Sequence, residues 1–218
     1  MAKKKNITAN DIISMYMDYV LEHNEQPKNV YSFSKANNFE ESKFYHFFTS
    51  FESIEKQIFK VFYDHSVAIL EKNEDYQSYD ARNKLLSFYF TFFENLSANR
   101  SYVIYALEKH KNSLKHFKVL SELKDAFTKY IDNLGIELIE TKQEQIDKFQ
   151  RKTLKNTAWL QLMLTMKFWM EDQSPNFEKT DIFIEKSVNT TFDVIAIAPI
   201  KSLIDLGKFL YKEKIHMN

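Results

Sequence analysis

The chain has 218 residues, no cysteine, and 30 basic against 30 acidic residues, so its formal net charge is zero. This length buries a core without metal or disulfide support. The lack of cysteine and of an apolar leader followed by a cleavage site argues against a disulfide-built secreted domain, so we expect a cytoplasmic location. With zero net charge, any attraction to nucleic acid must come from a local patch.

Glycine and proline are scarce, with two and three copies in the whole chain. Many short strands and hairpins would need more of these turn residues, so the composition predicts an all-α fold. The most apolar segment, Val188 to Ile200, is interrupted by Asn189, Asp193 and Pro199. No membrane-spanning segment is therefore expected.

The first helix is predicted from about Ala9 to Glu22, after a basic arm at Met1 to Asn6 that we read as a solvated tail. Thr8 is a candidate N-cap, because Asp11 follows it at capping-box spacing. Apolar residues then recur at helical spacing as far as Val20.

Two short helices are predicted next, over Val30 to Ala36 and Glu40 to Phe47. Neither would persist alone, because helices of this length need tertiary packing. Asn37 or Asn38 is expected to make the turn between them, since Asn tolerates the left-handed conformation. Thr49 or Ser50 is then expected to cap a long helix that runs to about Lys72.

This region resembles the DNA-binding head of the TetR family of transcriptional regulators. The resemblance rests on Val30-Tyr31-Ser32-Phe33-Ser34, on Asn38-Phe39, and on Phe44-Tyr45-His46-Phe47-Phe48-Thr49-Ser50-Phe51-Glu52. It implies a TetR-like all-α fold with a three-helix helix-turn-helix head at residues 1–50 and an effector-binding and dimerisation body at residues 51–218. The implied function is a one-component repressor that binds operator DNA as a homodimer and is released by a small hydrophobic ligand.

The resemblance places the second short helix in the major groove of double-stranded DNA. Ser42 and Lys43 are the candidates to reach base edges, while Tyr45, His46 and Thr49 are the candidates to meet the phosphate backbone. Partial core packing is the alternative for Tyr45. The apolar spacing assigns Phe44, Phe47 and Phe48 to the core of the head.

Several departures from the family pattern favour a second interpretation. Glu40 and Glu41 open the proposed recognition helix, and Phe51 stands where the family often has a phosphate-binding Lys. The segment Phe168 to Thr180 also resembles TetR-like lipid-binding proteins of ubiquinone biosynthesis. The alternative function is therefore a lipid- or isoprenoid-binding accessory protein that no longer binds DNA.

The body is predicted to be helical after a polar connection from Glu71 to Asp80. The expected helices are Ala81 to Leu96, Arg100 to His110, Lys115 to Phe149 with an interruption near Gly135, Lys152 to Glu171, Phe177 to Ala196, and Ile200 to Lys214. The last is amphipathic and is expected to pack on the body, with a peripheral membrane contact as the alternative.

Two of these helices are apolar on two sides, which predicts a four-helix interface between two copies of the chain. Burial within one copy is the alternative. The candidate dimerisation residues are Trp159, Met163, Met166, Ile184, Val188 and Phe192.

Aromatic residues are dense in the first half of the body. An apolar cavity lined by some of them would suit a hydrophobic effector, although ordinary core packing is the alternative for each. The candidate ligand-binding residues are Phe88, Phe92, Tyr102, Tyr105 and Phe127.

No catalytic or metal-binding pattern is present in the sequence. The six histidines lack ligand spacing, and Gly135 and Gly207 are too isolated to form a phosphate-binding loop. We therefore expect neither an enzyme nor a bound cofactor.

Overall fold

A computed structural model describes residues 7–109, 118–138 and 144–196, together with positions 206, 207 and 209. All regular elements within these ranges are helices, as the composition predicts. They are α1 (Ala9–His23), α2 (Val30–Ala36), α3 (Glu41–Phe47), α4 (Phe51–Glu71), α5 (Glu74–Ser78), α6 (Ala81–Ala98), α7 (Arg100–Glu108), α8 (Ser121–Asn133), α9 (Glu144–Glu171) and α10 (Glu178–Ala196). None of the described helices is long and apolar enough to cross a bilayer.

Local capping explains why the first helix begins where it does. The Asp11 amide donates to Thr8 Oγ1 at 3.2 Å, and the Thr8 amide donates to Asp11 Oδ2 at 2.8 Å, which confirms the predicted capping box. The helix ends at His23, and the next residue, Asn24, has a left-handed φ of 53°. The predicted basic arm at Met1 to Asn6 lies outside the described residues.

The turn between α2 and α3 depends on Asn38, which adopts φ 56° as the sequence predicts. Asn29 caps the start of α2 by accepting the Ser32 amide at 2.8 Å. At the other end, the Phe39 amide donates to the Ser34 carbonyl at 3.0 Å. These bonds satisfy backbone groups that such short helices leave unpaired.

Helix α4 begins with a second capping box. Ser50 Oγ accepts the Ser53 amide at 3.2 Å, and Ser53 Oγ accepts the Ser50 amide at 3.2 Å. This confirms Ser50 as the cap. Phe51 is consequently the first residue of α4, with its side chain buried.

A cluster of four buried aromatic residues holds the first four helices together. Tyr16 of α1 stacks on Phe51 of α4 with ring centroids 5.5 Å apart. Phe33 of α2 and Phe44 of α3 meet Phe51 edge to face at 5.6 and 5.3 Å. Each of the four helices contributes one ring, so the cluster fixes α3 relative to its neighbours.

The chain forms two compact units. The first contains residues up to 72 and residues 91–127, and the second contains residues 73–90 and the chain from 128 onwards. Helices α6 and α8 each contribute residues to both. The predicted functional division into residues 1–50 and 51–218 stays a prediction, because a division into compact units does not show what each part of the chain does.

The interruption predicted near Gly135 in the segment from Lys115 to Phe149 is confirmed. Helix α8 ends at Asn133, and Gly135 has φ 72°, a left-handed conformation that costs glycine little. Helix α9 then begins at Glu144, well before the predicted start at Lys152. The short helix α5 also lies in the predicted connection, whereas the predicted helix from Ile200 to Lys214 falls almost wholly outside the described residues.

The corner between α9 and α10 is organised by the buried carboxylate of Asp172. Its Oδ1 accepts the Ser174 amide and hydroxyl at 2.8 and 2.7 Å. Its Oδ2 accepts the Thr180 amide and hydroxyl at 2.9 and 2.7 Å. The predicted break between the helix ending at Glu171 and the helix beginning at Phe177 is confirmed within one residue, and Asp172 accepts four of the hydrogen bonds at this corner.

Protonation of Asp172 should weaken this corner. Burial by itself raises the pKa of the carboxyl. Hydrogen bonds from Ser174 and Thr180 lower the pKa by a larger amount, so the resulting pKa is about 2. A depressed folded-state pKa means that the stabilisation is complete above the ordinary value of 3.8. It is then lost as the pH falls through about 2.

We predict that Asp172→Ala lowers the free energy of unfolding by about 2 kcal/mol at neutral pH, because several hydrogen bonds to a charged group are lost. Urea titrations from pH 5 to pH 2 should show that the loss relative to wild type shrinks with acidification. Glu185→Ala, an exposed carboxylate on α10, is the control and should be nearly neutral. Equal effects from the two variants would contradict the assignment.

Candidate nucleic-acid interface

The short helix α3 has one buried side and one exposed side. Phe44 is fully buried, and Phe48 just beyond the helix is also buried. Both rings pack into the first unit, with Phe44 and Phe48 centroids 6.0 Å apart. This packing supplies the tertiary support that a seven-residue helix needs.

The five candidate DNA-contact residues all lie on the exposed side. Ser42, Lys43, Tyr45, His46 and Thr49 are each solvent-exposed. Tyr45 is 54% exposed, which disfavours the core-packing alternative for its side chain. The structure therefore brings the five predicted residues together on a surface that a partner can reach.

Phe47 departs from the prediction. Its side chain is 39% exposed, so its assignment to the core is wrong. Its ring lies beside His46, with centroids 4.7 Å apart. In this short helix, Phe44 occupies the buried side. Phe47 lies at the boundary between the buried and exposed sides.

Charges of both signs surround this surface. Lys35 and Lys43 are exposed on α2 and α3, and the Lys35 ammonium lies 5.9 Å from the Tyr31 ring centroid. Glu40 is exposed at the start of α3 and Glu41 is half-buried. Phe51 cannot meet a phosphate, because its ring belongs to the buried aromatic cluster.

Behind this surface, a buried carboxylate links three helices of the first unit. Glu55 of α4 accepts the Tyr16 hydroxyl at 2.7 Å and the Lys109 ammonium at 3.0 Å. Helix α1, which carries Tyr16, also packs against α7, which Lys109 follows directly. We refer to these three residues as the Glu55 triad.

The hydroxyl of Tyr16 is protonated at neutral pH. Burial and then the negative charge of Glu55 raise the pKa of Tyr16 far above its usual value. Burial and Glu55 likewise raise the pKa of Tyr102 on α7. Tyr16 is therefore a permanent donor to Glu55.

The candidate effector residues occupy the cores of the units. Phe92, Tyr102 and Phe127 are fully buried in the first unit, and Phe88 is fully buried in the second. Tyr105 is half-buried. None of the five lines the cavities described next, so their role in ligand binding stays a prediction.

The second unit contains a cavity of about 460 Å³. Its walls come from the start of α6, the end of α8, and helices α9 and α10. An adjoining cavity of about 680 Å³ shares Ile131, Ile136 and Leu154 with it and adds the charged residues Asp132, Asp147 and Arg151. No sequence pattern marks this site, because its wall residues come from four separated segments of the chain.

Helices α9 and α10 also present an apolar groove of about 630 Å³ to solvent. Leu160, Leu164 and Ile182 are each at least half exposed along it. Phe168 and Phe183 stack at its edge with centroids 4.6 Å apart. We refer to this surface as the apolar groove.

The candidate dimerisation residues lie on these same two helices, and three of the six are buried. Met166, Ile184 and Val188 are buried inside the second unit, where they cannot meet a partner without unfolding it. Trp159, Met163 and Phe192 are half-buried. The role of these six residues in dimerisation stays a prediction.

Together these features define an all-helical protein with a short-helix N-terminal region and a body of longer helices. Among the described residues, no group of three His, Asp or Glu side chains is arranged to hold a metal ion.

A family model described as the C-terminal domain of tetracyclin repressor-like proteins matches residues 84–210, which is more than half of the chain. The chain belongs to the TetR family. Comparison with curated proteins gives no match.

We predict that Tyr16→Phe lowers the free energy of unfolding by about 2 kcal/mol, because it removes a buried hydrogen bond to a charged group. The aromatic stack on Phe51 is retained. Glu55→Gln combined with Tyr16→Phe should cost less than the sum of the single changes, since both weaken the same contact. Urea denaturation measures all three.

Tyr19→Phe is the matched control for this prediction, because Tyr19 lies one turn further along α1 and is half-buried. It should change stability little. If Tyr16→Phe costs no more than Tyr19→Phe, the Glu55 triad does not stabilise the first unit.

Proposed function

We propose that this protein is a TetR-type transcriptional repressor that binds operator DNA as a homodimer and is released by a small hydrophobic ligand. The observation that supports DNA binding is the exposed side of α3, where Ser42, Lys43, Tyr45, His46 and Thr49 lie together. It acts by binding, without catalysis, in the cytoplasm where the DNA lies.

In this proposal α3 enters the major groove, where base edges present distinct donors and acceptors. Lys43 and Ser42 read base edges near the start of the helix. Tyr45, His46 and Thr49 hydrogen-bond phosphates and set the register. Glu40 at the start of the helix opposes the polyanion, so affinity should be moderate and sensitive to salt.

We predict that Lys43→Ala weakens binding to DNA upstream of the protein's own gene by about tenfold, because one good base contact is worth 1 to 3 kcal/mol. Tyr45→Phe should weaken it less, since only a hydroxyl contact is lost. Gel-shift titrations at several salt concentrations measure both. Lys72→Ala is the control, because it removes the same charge at the far end of α4. Absence of any shift at low salt would refute the repressor proposal.

Self-association through the apolar groove accounts for its exposure. Contiguous exposed apolar surface on a folded protein marks an interaction site. Two copies that place α9 and α10 against each other form a four-helix interface around a two-fold axis. Leu160, Leu164 and Ile182 are then the central contacts, in place of Met166, Ile184 and Val188, which are buried.

We predict that Leu164→Glu converts a dimer to a monomer, because each copy would place a carboxylate in an apolar interface. Sedimentation equilibrium measures the change, and DNA binding should fall with it. Lys167→Glu is the control, since Lys167 is exposed on α9 and does not line the groove. A wild-type chain that remains monomeric at high concentration would contradict the proposal.

The alternative function is a lipid- or isoprenoid-binding accessory protein without DNA binding. It is supported by the burial of Phe51 in the aromatic cluster and by the acidic start of α3 at Glu40. Mass spectrometry of the purified protein distinguishes the two. A copurifying lipid together with the absence of a gel shift would favour the accessory role.

A further inference from the structure

The 460 Å³ cavity of the second unit has a closed floor and an open rim. Leu85, Ile131 and Ala158 are buried at its floor. Phe149 and Val194 are exposed at its rim. Its volume falls within the range of cavities that hold small organic molecules.

Gln161 is the one buried polar residue among the described residues that line this cavity. The Gln161 side chain donates through Nε2 to Ser187 Oγ at 3.3 Å and accepts through Oε1 from Thr191 Oγ1 at 3.2 Å. A side-chain amide has two N–H donors and two acceptor lone pairs. The two bonds use one N–H donor and one lone pair of the amide oxygen. Gln161 therefore keeps one N–H donor and one lone pair for a molecule in the cavity.

Charge around the cavity disfavours an anion. Glu137 is the one charged residue among the described residues that line it, and Glu137 is exposed. The adjoining cavity adds two carboxylates, of Asp132 and Asp147, against one guanidinium, of Arg151. Asp132 is further engaged by Lys155 at 2.9 Å. A charged group buried at the floor would have no opposite charge there and would lose several kcal/mol of hydration.

We propose that this cavity binds an uncharged, mostly apolar molecule with one hydrogen-bonding end. The apolar part lies against Leu85, Ile131 and Phe192, and the polar end meets the Gln161 amide. This deepens the proposed function by assigning the effector a site and a chemical class, and in that respect it rests on that function. The site differs from the aromatic residues that the sequence suggested.

The test uses three dyes with the full-length protein: neutral Nile red, anionic 1-anilinonaphthalene-8-sulfonate and cationic ethidium. Fluorescence titration should show one saturable Nile red site per chain, with affinity at least about tenfold higher than for either charged dye. Comparable affinity for a charged dye would overturn the proposal, and so would absence of Nile red binding.

Thr153→Trp locates the site, because Thr153 is exposed on α9 and lines the cavity, so an indole there blocks it without disturbing the core. It should lower Nile red affinity at least about tenfold. Asn156→Trp, an equally exposed position on α9 that lines none of the described cavities, is the matched control and should bind normally. Equal binding by both variants would place the dye elsewhere and overturn the assignment.

Gln161→Leu tests the polar end separately. The carbonyl oxygen of Nile red accepts a hydrogen bond, so removal of the amide should lower its affinity about fivefold. Unchanged affinity would overturn the role of Gln161.

Gel shifts on the same wild-type preparation separate the two proposals. Dye binding without a DNA shift refutes the repressor proposal alone, and a DNA shift without dye binding refutes the cavity site alone.

Discussion

The aromatic cluster of Tyr16, Phe33, Phe44 and Phe51 is the constraint on which the first unit depends. Helices α2 and α3 have seven residues each, too few to be stable alone. Their stability therefore comes from the ring that each one buries. Because Phe44 is fixed inside the cluster, the opposite side of α3 must face solvent. The arrangement of the candidate DNA-contact residues follows from this burial.

Three residues around the start of helix α4 provide its cap, its ring in the aromatic cluster and the carboxylate of the Glu55 triad. Ser50 caps it, Phe51 enters the aromatic cluster, and Glu55 accepts hydrogen bonds from Tyr16 and Lys109. A carboxylate that is buried and hydrogen-bonded from two helices holds them in one arrangement, because any other leaves its charge unpaired. The burial of Phe51 thus has a structural reason, and the family's phosphate-binding Lys has no counterpart at this position.

In the second unit, helices α9 and α10 line both the 460 Å³ cavity and the apolar groove. Gln161 and Thr191 line both the cavity and the apolar groove, so the two share a wall of polar side chains between α9 and α10. A ligand at Gln161 and a second copy at Leu164 would approach this wall from opposite sides. Asp172 fixes the corner that sets the two helices side by side.

The sequence by itself determined the features that depend on neighbours along the chain. The cap at Thr8 and the bounds of α2 were predicted, and the cap of α4 and the left-handed turn were each predicted to within two adjacent residues, because hydrogen bonds between near neighbours decide them. The five exposed positions around α3 were also predictable, since the spacing of Phe44 and Phe48 sets which side is buried. The family resemblance in the first helices was followed by a match over the body.

Tertiary structure decided which of two apolar sides is buried. Ile184 is buried and Leu164 is exposed, although both are apolar residues of helices predicted to be apolar on two sides, because the choice depends on segments far away in the chain. The cavity around Gln161 has the same origin, since packing between separated segments forms it. Periodicity reports that a side is apolar, but only the packed chain determines what covers it.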